Sequence, residues 1–222
     1  MPDKMQRRKL FEQFASVAKA LGHEYRLELL ELVAQGERSV EALTRLTGLP
    51  VGSVSQHLQQ LRRAGLVTAR KEGKYVYYTL ADDQVLTLLA ALRSVAERNV
   101  AEVRRLTEQY FEGDEALDVL SSQELLEQLR AGTVTLLDVR PPEEYEHGHL
   151  PGAINIPVDE LEARFQELPE DQQIVAYCRG PYCALASDAV QRLQQRGVKI
   201  ARLDEGYPEW KAEGLPTQEP TE

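Results

Sequence analysis

From residue 121 onward the chain alternates two patterns. Short apolar, β-branched runs at Val134–Asp138, Gln173–Tyr177 and Val198–Leu203 are interleaved with stretches of helical period at Ser122–Arg130, Val158–Glu167 and Ala184–Arg196. A short helix at Pro208–Glu213 follows. Strand and helix in alternation predict a parallel sheet with both faces covered, and chemistry at the carboxyl ends of its strands. Two strands end in reactive side chains: one runs into Asp138-Val139-Arg140, the other into Cys178. The residues before 112 lack this alternation and read as helices with one hairpin. A length of 222 residues suits two modest domains, placed here at 1–112 and 113–222. The boundary falls near Phe111–Ser121, where Gly113 and Asp114 break a helical pattern and Ser121 or Ser122 caps the next helix, with Glu124 in its first turn.

Charge separates the same two halves. Residues 1–112 hold 17 basic and 14 acidic side chains, whereas residues 113–222 hold 9 and 22. Within the first half, Arg45–Lys74 carries six basic residues against the single acid Glu72, a cluster suited to a polyanion. No apolar run approaches a membrane span of roughly 18 residues, and Met1–Leu10 is charged where a signal peptide would begin its apolar core. Two cysteines five apart make neither a disulfide framework nor a complete metal site, so no metal or cofactor is implied and the reducing cytoplasm is the expected compartment.

The first half spells out a helix-turn-helix. Phe11–Leu21 and Tyr25–Ala34 are amphipathic, and Ser39 caps a short helix at Val40–Leu46. Thr47-Gly48-Leu49-Pro50 turns the chain, and Val51–Ala64 forms a second helix that stops at Gly65. Val54, Leu58 and Leu61 share one face of it. Gly52, Gln56, Gln59 and Arg63 share the other, flanked by Ser53, Ser55 and Gln60. Hydroxyls, amides and a guanidinium are the groups that read base edges and phosphates in a major groove. His57 lies at the margin of the apolar face, where a half-buried structural role and a DNA contact are both open. A hairpin over Leu66–Leu80 then carries Arg70, Lys71 and Lys74 around Gly73, a basic ribbon able to straddle a phosphate backbone. Last, Val85–Tyr110 reads as one helix of 26 residues, whose apolar stripe calls for a second surface such as a dimer seam.

The segments ALGHEYRLELLELV, SVEALTRLTGLPVGSVSQHLQQLRRAGLV and ARKEGKYVYYTL, in that order over about residues 10–108, resemble the winged-helix repressors of the ArsR/SmtB type. The resemblance implies a homodimer on a palindromic double-stranded operator. By position it places Ser53, Ser55, Gln56 and His57 at the start of the recognition helix and Arg70, Lys71 and Lys74 in the wing. The chain departs from metal-sensing members, since Val40–Leu46 has no cysteine and Val85–Tyr110 no histidine. The signal must enter elsewhere.

The second half offers an entry point. In Cys178-Arg179-Gly180-Pro181-Tyr182-Cys183, Gly180 and Pro181 force a tight loop between a strand and a helix. Such a loop can aim several peptide N–H groups inward, and the following helix adds its positive end. This predicts a Cys178 thiol ionised below its ordinary value of about 8.5. A phosphatase loop would place an arginine six residues after the cysteine, but Ala184 stands there.

LLDVRPPEEYEHGHLPGAINIPVDEL, IVAYCRGPYCALASDAVQRLQQRG and ARLDEGYPEWKAEGLP, covering about residues 119–217, resemble a single rhodanese domain. The resemblance implies that Cys178 carries a sulfane sulfur as a persulfide, held by the amides of Arg179, Gly180, Pro181, Tyr182 and Cys183. It implies that Asp138 and Arg140 brace that loop, and it matches Glu144, His149 and Gly152 to the motif after the first strand. His147 and His149, two apart, read as structural. Cys183 departs from many such loops: it either resolves the persulfide or packs the helix start. The combined expectation is a mainly α winged helix-turn-helix followed by an α/β rhodanese-like sheet, acting as a DNA-binding regulator, in particular a repressor, that senses reactive sulfur. Two other readings stand beside it: a thiosulfate or persulfide sulfurtransferase that the winged helix localises or autoregulates, and an arsenate or oxidant sensor using Cys178 and Cys183.

Overall fold

The computed structural model describes residues 4–110 and 117–218. Gly113 and Asp114, the expected domain break, lie outside them. Contacts divide the chain into two compact units, Met1–Val85 and Leu86–Glu222.

The first unit holds helices α1 (Lys4–Leu21), α2 (Glu24–Ala34), α3 (Val40–Thr47) and α4 (Val51–Arg63) and strands β1 (Arg38–Ser39), β2 (Val67–Glu72) and β3 (Tyr75–Leu80). The strands form one antiparallel sheet in the order β1-β3-β2, turned between β2 and β3 at Gly73. Ser39 caps α3 by accepting from the Ala42 amide at 3.1 Å. Gly48 ends it at φ +68°, a left-handed turn that a Cβ would strain. Leu29, Leu30, Leu43, Val54, Leu58 and Leu61 are fully buried, so the face of α4 predicted apolar does line the core.

The single helix expected over Val85–Tyr110 is two, α5 (Gln84–Asn99) and α6 (Ala101–Tyr110), parted at Val100. The Asn99 side-chain amide donates to the Val95 carbonyl at 2.8 Å, and Asn-Val is a pair of weak helix formers. Leu88, Leu92, Val95, Val100 and Leu106 remain exposed along the two helices.

Beyond residue 116 the elements are β4 (Val119–Leu120), α7 (Ser122–Ala131), β5 (Val134–Asp138), α8 (Pro142–His147), β6 (Ile154–Asn155), α9 (Leu161–Arg164), β7 (Gln173–Tyr177), α10 (Ala184–Gln194), β8 (Ile200–Leu203) and α11 (Tyr207–Ala212). Five strands pair in parallel in the order β4-β8-β7-β5-β6. Side chains alternate across the sheet. Leu137, Ile174, Ala176 and Cys178 face the layer with α10, whereas Leu136, Val175 and Tyr177 face Leu125 and Trp210. The helix expected at Val158–Glu167 is cut into a 3-10 turn, α9 and a second 3-10 turn. Val158 and Leu161, and again Phe165 and Leu168, are three apart, and three-residue turns bring such pairs onto one face. The short elements β1, β4, β6 and α8 were not anticipated.

Candidate functional site

Strand β7 is central, buried and apolar, and it delivers Cys178 to the carboxyl edge of the sheet with only 3% of its surface exposed. The loop doubles back from Gly180, whose carbonyl accepts from the Cys183 amide at 3.0 Å. Cys183 then becomes the N-terminal cap of α10. A second wall closes over the loop: the Tyr207 amide donates to the Cys178 carbonyl at 3.1 Å, and Gly206 lies flat against Gly180. A Cβ at Gly206 would come within 2.2 Å of the Gly180 nitrogen, so that close approach requires glycine. Composition gave no sign of this wall, although the turn residues in Gly206-Tyr207-Pro208 mark where it forms.

Bracing comes from below. Arg140 and Asp138 form a fully buried ion pair at 2.6 Å. The guanidinium also donates to the Gly148 carbonyl at 2.8 Å and lies over the rings of Tyr177 and Tyr207. Asp138 and Arg140 thus meet the two tyrosines that flank the loop, Tyr177 and Tyr207. Arg179 is held by the buried Glu144 carboxylate at 2.8 Å, so its charge is paired inside the fold. Tyr182 points the other way and donates to the Glu97 carboxylate on α5, while Glu209 takes the Gly206 amide at 3.1 Å and pairs with Arg93 of the same helix. His149 stacks on Tyr145, with ring centroids 3.7 Å apart, and bonds the Tyr145 carbonyl, while His147 bonds that of Glu143. Among the described residues, no group of three or more His, Cys, Asp or Glu is placed to hold a metal.

The ionisation of the thiols differs from the expectation. Burial pushes Cys178 well above the ordinary thiol value, despite amides from Gly180 and Ala186 that favour its anion. Its Sγ faces two acceptors, the carbonyls of Cys183 at 3.4 Å and Gly180 at 3.8 Å, which suit a thiol. Cys183 is pulled down to about 6, first by the hydrogen bond from Cys178, then by amides of Arg179 and Leu185 and by the Arg179 charge, all against the cost of burial. One amide from the first turn of α10 acts on each sulfur, Leu185 on Cys183 and Ala186 on Cys178.

On α4, Gln56, Gln59 and Arg63 are exposed and Ser53 and Ser55 half-buried. His57 sits beside His23, with ring centroids 4.5 Å apart, and its Nδ1 is buried without a hydrogen-bond partner. In the wing, Lys71 and Lys74 are exposed, but Arg70 is held at 2.6 Å by both Glu37 and Glu72.

The family model for bacterial regulatory proteins of the arsR family matches residues 23–69, and the rhodanese-like domain model matches 121–213. HTH-type transcriptional regulator Rv0324 of Mycobacterium tuberculosis is 47% identical over 210 residues, which cover 95% of this chain and 92% of that one. A homodimeric winged helix-turn-helix DNA-binding domain from Mycobacterium bovis is 39% identical, covering 46% of this chain and 94% of its own, with a TM-score of 0.43. A rhodanese-related protein from Thermoplasma volcanium is 30% identical, covering 46% and 97%, with a TM-score of 0.42. The chain is a transcriptional regulator of the arsR family that carries a C-terminal rhodanese domain.

Proposed function

We propose that this regulator binds a double-stranded operator as a homodimer, acts as a repressor, and takes its signal from sulfane sulfur carried as a persulfide on Cys178. The observation that carries the reading is the enclosure of Cys178. Its sulfur lies at the end of a buried strand, the amides of Gly180 and Ala186 favour its anion, and buried ionic and aromatic contacts flank the loop. An outer sulfur bound there would carry negative charge into a cage of peptide dipoles. The exposed Gln56, Gln59, Arg63, Lys71 and Lys74 supply groups for base edges and phosphates. Exposed Leu88, Leu92, Val95 and Leu106 supply an apolar stripe for a second copy.

The test is operator binding by gel shift, with and without inorganic polysulfide, paired with peptide mass spectrometry. The wild-type protein should gain about 32 Da at Cys178 and change its operator affinity by about 5- to 150-fold. Cys178→Ser should carry no added sulfur at position 178 and should keep its operator affinity unchanged. An equal affinity change in that variant would remove the sensor reading. Rapid multiple turnover from thiosulfate to cyanide, with no effect on DNA binding, would favour the sulfurtransferase reading instead.

A further inference from the structure

The persulfide reading leaves open how sulfur reaches a side chain that is only 3% exposed. Cys183 sits five residues along the same loop, at the first turn of an 11-residue helix, and is less buried than Cys178. The Cys178 Sγ is turned toward the Cys183 carbonyl at 3.4 Å. The buried sulfur therefore lies against the backbone of the residue that carries the more exposed one.

We propose that Cys183 is the entry nucleophile, and that sulfur arriving on it is relayed inward to Cys178. This rests on the persulfide reading above and adds its order of events. In the first step the Cys183 thiolate attacks a sulfane sulfur of polysulfide. A Cys183 S–S bond forms, the donor's S–S bond breaks, and the shortened polysulfide leaves with the electron pair. In the second, Cys178 attacks the outer sulfur of the Cys183 persulfide. The Cys178 S–S bond forms, the Cys183 S–S bond breaks, and the Cys178 proton moves to the departing Cys183 sulfur. The second step involves no net oxidation. The ionisation pattern agrees with these roles, because the Cys178 thiol and the amides of Arg179 and Leu185 all favour the Cys183 anion.

Two measurements on the full-length protein test the order. With limiting iodoacetamide at pH 7, Cys183 should alkylate at least about 10-fold faster than Cys178. Its rate should rise with pH around a midpoint near 6, and that midpoint should move up in Cys178→Ala, which lacks the donor. Brief polysulfide exposure followed by mass spectrometry should find the added sulfur on Cys183 in Cys178→Ser. In Cys183→Ser it should reach Cys178 at least about 10-fold more slowly than in wild type. Loading of Cys178 at the wild-type rate in Cys183→Ser, or faster alkylation of Cys178 in wild type, would overturn the relay and leave the persulfide reading intact. A wild-type product lacking added sulfur and two daltons lighter, a disulfide, would overturn the inward hand-over. No added sulfur on either cysteine of the wild type would sink both.

Discussion

At the scale of single residues, buried charge and unpaired polarity mark where this chain is vulnerable. Asp138 and Arg140 are both fully enclosed and compensate each other at 2.6 Å. Removing one charge strands the other in a medium that cannot solvate it, at a cost of about 3–5 kcal/mol. Asp138→Asn should therefore lower the urea midpoint of the rhodanese unit strongly, whereas truncating the exposed pair Arg105–Glu102 should leave it nearly unmoved. A comparable loss from both would show that burial is not what makes the first pair matter. His57 gives a pH-dependent case. Burial, together with His23 and Arg26, holds its imidazole below the ordinary value, and only Glu24 opposes them. The native protein then binds this proton less readily than the unfolded chain. The contribution to stability is complete above about pH 6.5 and is lost as the pH falls through the lowered native value. Urea midpoints of the wild-type protein should fall between pH 7.5 and 5.5, and His57→Gln should show a shallower fall. Identical slopes would exclude His57 as the source.

At the scale of elements, backbone fit governs the active loop. Gly206→Ala places a methyl group on the Gly180 backbone, which cannot swing aside as the end of a long side chain would. The expected result is a loss of about 1–3 kcal/mol in urea unfolding and slower sulfur loading of Cys178, since the wall must retreat from the loop. Loading at the wild-type rate would show that the wall does not shape the site. Much of this scale was legible in the sequence. β5 and β7 run over the residues their apolar patterns predict, and Ser39 and the Ser121–Glu124 capping box start α3 and α7 as their side-chain chemistry requires. The recognition-helix face was legible too, because Val54, Leu58 and Leu61 repeat at helical spacing. What stayed hidden depends on contacts between distant residues. Two-residue strands such as β4 and β6 exist only because β8 and β5 offer them a ladder. Periodicity alone does not tell a 3-10 turn from an α-turn at Val158 or locate the break at Val100. At the site, the loop geometry of Cys178 was readable, but its ionisation was not. The sequence places a cysteine near a helix terminus, and only the fold shows that Cys183 is the one at the cap.

At the scale of the whole molecule, the question is how a change at the loop could reach the DNA-binding half. Helix α5 begins at Gln84 in the first unit, and from Leu86 onward it belongs to the second. Its Glu97 accepts from Tyr182, inside the Cys178–Cys183 loop, and its Arg93 pairs with Glu209, which in turn holds the amide of Gly206. Burial and the Glu97 carboxylate push the Tyr182 hydroxyl up to about 12, so the donor stays protonated at neutral pH and the bond persists. On the proposed reading, an added sulfur would enlarge and charge the loop that carries Tyr182, whose hydroxyl bonds Glu97 directly. A signal of 5- to 150-fold in operator affinity corresponds to about 1–3 kcal/mol, and a few hydrogen bonds of this kind can carry that difference between two states. Glu97→Gln weakens the acceptor without emptying its place. It should leave operator affinity before polysulfide within about 2-fold of wild type and leave sulfur loading of Cys178 intact, while shrinking the polysulfide-induced change at least about 5-fold. Fluorescence anisotropy on a labelled operator fragment, with mass spectrometry on the same samples, separates the quantities. A full response from a loaded Glu97→Gln protein would show that the signal leaves the loop by another route.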